Sequence, residues 1–266
     1  QDGETLGLDR GRQRGDRRLY VGKLEVKLDE YLEHLQALVL TGQSSREIAG
    51  SPAERRRSID RATAAASAGH LPDLGDYRRA LSQRNRLLKA EASDAELEPW
   101  EQILARAGER ITARRRQQLE AWQNELGSWP ELFPEGREAR VEYKPSGGSG
   151  DVLERLERAR EQDRRNGVTG VGPHRDDLQM TLGSVDLWRY GSAGQVRASI
   201  AALTLAQVRE VRRARRRHAP LLILDDVDTD LDPQRVRALL AAASDEAQVL
   251  AATTKRLHVQ DLSAAL

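Results

Sequence analysis

The chain has 266 residues, enough for one or two domains with a sizeable core, and is 38% hydrophobic and 32% charged. Its 43 basic and 42 acidic residues leave a net charge of +1, which excludes a polycation and confines any nucleic-acid binding to local patches. Cysteine is absent, excluding a disulfide framework, a thiolate metal site and a Cys nucleophile; no apolar run approaches the roughly 20 residues of a membrane span and no signal peptide is visible, so a cytoplasmic protein is the default expectation.

The chain opens at Gln1 with a polar, glycine-containing stretch, and the natural start is expected to lie upstream. Leu19 and Val21, then Leu24, Val26 and Leu28, alternate around Gly22-Lys23, which predicts a hairpin. Leu35 to Leu40 reads as a buried strand. Ser51-Pro52-Ala53-Glu54 has the form of a capping box with Pro at the first helical position and predicts a helix to about Ala66. Helical spacing recurs over Asp76 to Glu91 and over Pro99 to Leu126, the latter with Trp100, Ile103, Leu104, Ala107, Ile111, Leu119, Trp122 and Leu126 on one stripe. A strand at Ala139 to Lys144, a glycine link at 147–150 and a charged helix at Asp151 to Arg165 follow. Leu178, Met180, Leu182, Val185 and Leu187 predict a second hairpin around Gly183-Ser184. Gln195 to Arg217 reads as helix, Pro220 to Val227 as strand, Pro233 to Ala243 as helix and Gln248 to Thr254 as strand. This last strand–helix–strand unit implies a parallel sheet.

The chemistry concentrates near the end. Leu221-Leu222-Ile223-Leu224 is a strand expected to be buried on both faces, and Asp225-Asp226 emerge at its C-terminal end, where open α/β sheets bind ligands. That is the Walker B arrangement: Asp225 would hold Mg²⁺ and Asp226 would orient or deprotonate the attacking water. The alternative is a strand followed by an acidic turn. Asp228-Thr229-Asp230-Leu231-Asp232-Pro233 opens the next helix and resembles the D-loop of two-chain ATP sandwiches, although Asp232 also suits a plain N-cap. Tyr190-Gly191-Ser192-Ala193-Gly194-Gln195 leads into a helix and makes an anion site on small residues and a helix N-terminus; it resembles the ABC signature motif, and its alternative is an ordinary cap. Thr253 and Thr254 end the following strand, where such ATPases place a γ-phosphate sensor.

Gly50-Ser51-Pro52-Ala53-Glu54-Arg55-Arg56-Arg57, Gln83-Arg84-Asn85-Arg86-Leu87-Leu88-Lys89, Gly172-Pro173-His174-Arg175-Asp176-Asp177-Leu178, the signature at 192–195 and Asp225-Asp226-Val227 occur in an order that resembles the RecF family. The resemblance runs from about residue 19 to 262. It implies an α/β, SMC/ABC-type ATPase lobe with a parallel or mixed sheet plus an inserted helical lobe. It also implies ATP and Mg²⁺ as cofactors, an ATP-dependent homodimer, DNA at single-strand/duplex junctions, and RecO- and RecR-type mediators in recombinase loading, with no membrane partner. By the same resemblance Ser192 and Gly194, with Gln195, Asp232, Thr253 and Thr254, would serve nucleotide, and Gln43 stands in the Q-loop stretch. The lobes are expected at 1–50 with 166–266, and at 51–165.

The chain departs from the family in one major respect. No Gly-x-x-x-x-Gly-Lys-Ser/Thr occurs in it, so the phosphate-cradling loop is missing, and truncation or natural loss are both open. Candidate DNA contacts are Arg55 and Arg56, or Arg212, Arg213, Arg215 and Arg216 at a basic helix end, where solvation and helix-dipole complementarity offer an equal account. His174-Arg175-Asp176-Asp177 has no metal-site spacing and no assigned role. The competing function is a non-catalytic DNA- or protein-binding module of the same descent. A transporter ATPase subunit is opposed by the helical insertion and by the missing switch His.

Overall fold

A computed structural model describes residues 6–10, 17–26, 37–67, 69–133, 137–214 and 219–253. Near the N-terminus, β1 (Leu6–Arg10), β2 (Arg17–Val21) and β3 (Leu24–Val26) form an antiparallel sheet. Gly22 turns the β2–β3 hairpin at φ 61°, a conformation that glycine adopts without a Cβ penalty. Leu28, expected in this hairpin, lies outside the described residues.

The functional sheet is parallel. Its strands are β4 (Ala37–Leu40), β8 (Leu221–Leu224) and β9 (Gln248–Ala251), with β8 in the middle. The third sheet joins β5 (Ala139–Lys144), β6 (Asp177–Leu182) and β7 (Val185–Asp186) antiparallel. Leu222 and Leu224 of β8 are fully buried, whereas Leu221 and Ile223 are only half-buried. Burial on both faces was the expectation for this strand; the second face carries the aligned row Val39, Ile223 and Leu250, of which Val39 and Leu250 are exposed.

The helices are α1 (Gly42–Gly50), α2 (Pro52–Ala66), α3 (His70–Lys89), α4 (Asp94–Leu126), α5 (Val152–Asn166), the short α6 (Leu187–Tyr190), α7 (Ala193–Ala214) and α8 (Pro233–Glu246). In α7, Ala198, Ala201, Ala202, Leu205 and Ala206 recur at helical spacing and are all buried, giving a narrow face that packs close to the sheet. Several starts differ from the sequence reading. Ser51 takes the N-cap position of α2 with Pro52 behind it, but caps with no side-chain hydrogen bond, and Glu54 pairs with Arg57 instead of reaching back. A box forms instead at α4, where Glu96 accepts from the Ser93 amide and hydroxyl at 2.8 Å each. It starts that helix more than a turn before Pro99, which is tolerated near the exposed N-terminal end. Leu187 begins α6 rather than continuing a strand, because Asp186 caps it through the Trp188 amide at 3.0 Å.

Two apolar cores result. The larger includes Leu222, Leu224, Ala201 and Leu205, but also Ile59 and Ala62 of α2, Leu119 to Leu126 of α4, and Ala139 and Val141 of β5. The smaller joins Leu74, Tyr77, Leu104, Ile111, Val152 and Leu156 of α3, α4 and α5. The 33 residues of α4 span about 50 Å at the helical rise, so this helix enters both cores, and β5 pairs with β6 of the larger one.

A polar knot ties the cores together. Asp177 accepts two bonds from Arg55, at 2.8 and 2.7 Å. The carboxylate of Asp176, fully buried, accepts from the Ser146 amide and hydroxyl at 2.7 Å and from the Tyr143 hydroxyl at 2.6 Å. Arg115 donates to the Pro173 carbonyl at 2.7 Å and to both oxygens of Asp60. Gly172 is at φ 116°, and a Cβ there would lie 2.5 Å from the Tyr77 hydroxyl. His174 bridges the Thr169 carbonyl, 3.0 Å from Nε2, and the Tyr77 hydroxyl, 2.8 Å from Nδ1. A carbonyl only accepts, so Nε2 carries the proton and Nδ1 accepts from Tyr77. Within the smaller lobe, Arg84 is fully buried between Glu101 at 2.9 Å and Asp163 at 2.7 Å.

Two outcomes follow from these contacts. Replacing Arg84 by Met leaves the buried Asp163 without a cationic partner and Glu101 with Arg160 alone, and urea unfolding should show a loss of about 3–5 kcal/mol; a loss near zero would contradict the pairing. Burial, with Arg175 and Arg56 adding repulsion against the opposing Thr169 carbonyl and Asp176, holds the His174 imidazole below its ordinary value. The unfolded chain then takes up the proton first. The stabilisation is complete above the unfolded value of about 6.5 and is lost as pH falls from there through the folded value. His174→Gln should flatten that stretch of the stability–pH curve, and an unchanged slope would argue against a neutral imidazole.

Candidate functional site

Strand register builds the site. Leu40, Leu224 and Ala251 align across the three parallel strands, so Thr41, Asp225 and Ala252 leave the sheet at one edge. The ladder continues one step beyond the strands: the Asp225 amide donates to the Leu40 carbonyl at 2.9 Å, and the Ala252 amide to that of Leu224 at 2.8 Å. Asp225 and Asp226 then turn outward and are exposed. Asp226 and Asp230 adopt left-handed backbone, at φ 52° and 60°; aspartate tolerates this region better than most non-glycine residues. The Thr229 amide closes the turn onto the Asp226 carbonyl at 2.9 Å.

The serine turn sits against the same loop. Ser192 and Gln195 cap α7 reciprocally: the Gln195 amide donates to Ser192 Oγ at 3.3 Å, and the Ser192 amide to Gln195 Oε1 at 2.9 Å. Gly194 is held to glycine by proximity, because a Cβ would lie 2.8 Å from the Asp230 carbonyl. The two readings of this segment are thus compatible: it is a cap, and its exposed Ser192 and Ala193 lie beside the 225–230 turn. Asp232 caps α8, accepting from the Arg235 amide at 3.0 Å while pairing with the Arg235 side chain at 2.7 Å.

Arg197 was not singled out by sequence reasoning. It is 1% exposed and joins three elements. Its guanidinium donates to the Thr41 carbonyl at the end of β4, to Ser45 Oγ of α1 at 2.7 Å, and to the carbonyls of Asp225 and Asp226 at 3.4 Å each. Burial lowers its pKa from the ordinary arginine value, offset by Asp230 and Asp226. The available signal was a charged residue inside the apolar, small-residue run from Val196 to Leu203.

Gln43 lies exposed in the first turn of α1, beyond the same sheet edge, and Thr253 follows β9 there; Thr254 lies outside the described residues. The basic candidates separate. Arg55 is 5% exposed, engaged by Asp177 and by the carbonyls of Ile48 and Ala49, and stacked 5.3 Å from the Trp188 ring. Its guanidinium is taken up by partners within the fold. Arg56 is half-buried and donates to the Asp176 carbonyl at 2.8 Å. Arg212 and Arg213 remain exposed but pair with Glu246 and Glu125. Arg215 and Arg216 lie outside the described residues.

The exposed carboxylates of Asp225 and Asp226 are hard oxygen donors suited to Mg²⁺. Among the described residues no group of three or more His, Asp or Glu side chains is arranged to hold a metal, so such an ion would rest on Asp225 together with water and phosphate oxygens. The residues present fit Mg²⁺ and contact with a phosphate terminus. They do not fit the main phosphate cradle, which the chain does not contain.

An acid-tipped central strand in a parallel sheet, a capped serine helix beside it and a separate helical core define a mixed α/β protein with parallel and antiparallel sheets. No protein-family profile matches the chain. The DNA replication and repair protein RecF of Anaeromyxobacter sp. (strain Fw109-5) is 37% identical over 252 residues, covering 90% of this chain and 68% of that protein. RecF of Moorella thermoacetica is 32% identical over 260 residues, covering 96% and 70%. The fold matches a solved structure of the recombination mediator protein RecF with ATP, in the RecFOR pathway, with a TM-score of 0.75 at 26% identity over 91% of this chain and 68% of the other. The chain belongs to the RecF family of DNA replication and repair proteins. No helix among the described residues is long and apolar enough to cross a membrane.

Arg197→Met leaves several buried acceptors without their donor and should cost about 1–3 kcal/mol. Hydrogen exchange should quicken selectively at the amides of 225–230 and of α1. Uniform acceleration across the whole chain would show that Arg197 does not hold this edge.

Proposed function

We propose that the chain works as a subunit of a RecF-type DNA-repair ATPase, active as an ATP-dependent dimer on DNA at single-strand/duplex junctions. In this reading it supports recombinase loading together with RecO- and RecR-type mediators. The observation that carries the reading is the shared edge: the Asp225-Asp226 turn and the Ser192 turn are tied by Arg197 and by the close approach of Gly194 to Asp230. ATP and Mg²⁺, when bound, supply the phosphoryl group and the charge that holds it. Asp225 is assigned to the cation and Asp226 to orienting water. Ser192 and Gly194, with the N-terminus of α7, are assigned to the terminal phosphate of a nucleotide cradled by the other subunit. Gln43 and Thr253 would border the nucleotide whose cation Asp225 holds, and Asp232 would lie at the contact between the subunits.

The second reading is a non-catalytic DNA- or protein-binding module of the same descent. Sedimentation with a RecF subunit that carries a phosphate loop separates the two. The ATPase reading predicts association that requires ATP and Mg²⁺ and that Ser192→Arg weakens about tenfold or more by placing bulk and charge at the contact. Association indifferent to nucleotide and to this substitution supports the binding module and defeats the dimer assignment.

A further inference from the structure

A second recess lies where α2, α3 and α4 meet the Gly172–Asp176 turn. It encloses about 200 Å³, and a water occupies about 30 Å³ of liquid, so it has room for a tetrahedral oxyanion with some of its hydration. Arg56, Arg57, Arg78 and Arg115 line it, with Tyr77 and His174 in its wall. Asp60 is the acid in the lining, and both its oxygens are already taken: Arg115 donates to them at 2.8 and 2.9 Å, and His70 lies 2.9 Å from Oδ1.

Two of the remaining arginines, Arg56 and Arg78, are under-compensated. Arg57 shares its charge with Glu54. The partner of Arg56 is a neutral carbonyl, that of Asp176, at 2.8 Å, while the nearby Asp177 carboxylate is held by Arg55 and that of Asp176 by Ser146 and Tyr143. Arg78 is exposed and has no hydrogen bond or ion pair among the described residues. A half-buried guanidinium whose nearest carboxylates are occupied lowers its free energy by meeting an anion.

We propose that this recess binds a phosphate group, with Arg56 and Arg78 as the contacting residues, and that the backbone of DNA supplies the phosphate. Guanidinium groups match phosphate oxygens as planar donor forks. Tyr77 is 2% exposed with its hydroxyl committed to His174, so no aromatic face is offered to a base, which favours a backbone phosphate over a nucleotide. The site shares no residue with the 192 and 225–230 turns. It relies on the DNA-repair reading only in taking DNA as the phosphate source.

The test uses the whole chain without nucleotide, so that its outcome is separate from that of the ATP-dependent association above. Affinity for a short fluorescent duplex is measured across a salt series, and affinity for pyrophosphate by calorimetry, for wild type, Arg78→Gln, Arg56→Gln and the exposed Arg106→Gln on α4. Arg78→Gln removes no hydrogen bond or ion pair among the described residues and therefore reports on binding even if Arg56→Gln proves less stable. The proposal expects each of the two recess variants to weaken duplex binding about tenfold and to lower the slope of log affinity against log salt by about 1, with Arg106→Gln close to wild type. Loss of pyrophosphate binding alone would keep the anion site and assign its phosphate to a free ligand. Wild-type affinities in Arg78→Gln and Arg56→Gln for both probes, equal losses in Arg106→Gln, or no binding of either probe by wild type, would overturn it.

Discussion

Arg197 places a cation in the interior where its described partners are carbonyl and hydroxyl oxygens rather than a carboxylate. Burying a charge in this way is tolerable only if those oxygens stay in place. The end of β4, the start of α1, the acid turn after β8 and the serine-capped helix α7 are therefore bound into one unit. Each would be an ordinary loop or cap by itself. Held together, they present two exposed acids and an exposed serine turn along one sheet edge, and the nucleotide chemistry proposed for the chain depends on that arrangement persisting in the absence of nucleotide.

The knot at Gly172–Asp177 serves a different coupling. Arg55 and Arg115 come from helices that enter the larger core, and Tyr77 from the smaller one. All three meet one turn whose backbone geometry needs glycine at 172. Burial of Asp176 costs little because its oxygens receive the Ser146 and Tyr143 donors. Helix α4 contributes residues to both cores, so the knot is anchored in each of them.

Much of the fold was legible because period and punctuation agreed. Apolar alternation around Gly22 and Gly183 marked hairpins, and four apolar residues followed by two acids marked the central strand and its edge. The errors had physical causes. Ser51 and Ser93 carry the same capping pattern, and the competing Arg57 decided which glutamate reached back. Arg55 resembled the solvated arginines beside it, since its partner Asp177 lies 122 positions away. The partners of Arg197 were invisible for a related reason: backbone carbonyls 28 and 156 positions distant leave no signature in sequence. The Gly172–Asp177 block was conspicuous as residues but had no readable role until its partners converged on it.

The most direct test uses an ATP analogue photoreactive at its terminal phosphate, with a RecF subunit supplying the phosphate loop, and maps the labelled peptide of this chain by mass spectrometry. Labelling at Ser192–Gln195 that appears only when both subunits and Mg²⁺ are present is the result the account requires. Labelling of this chain without the second subunit, or at peptides remote from the 192 and 225–230 turns, would contradict it.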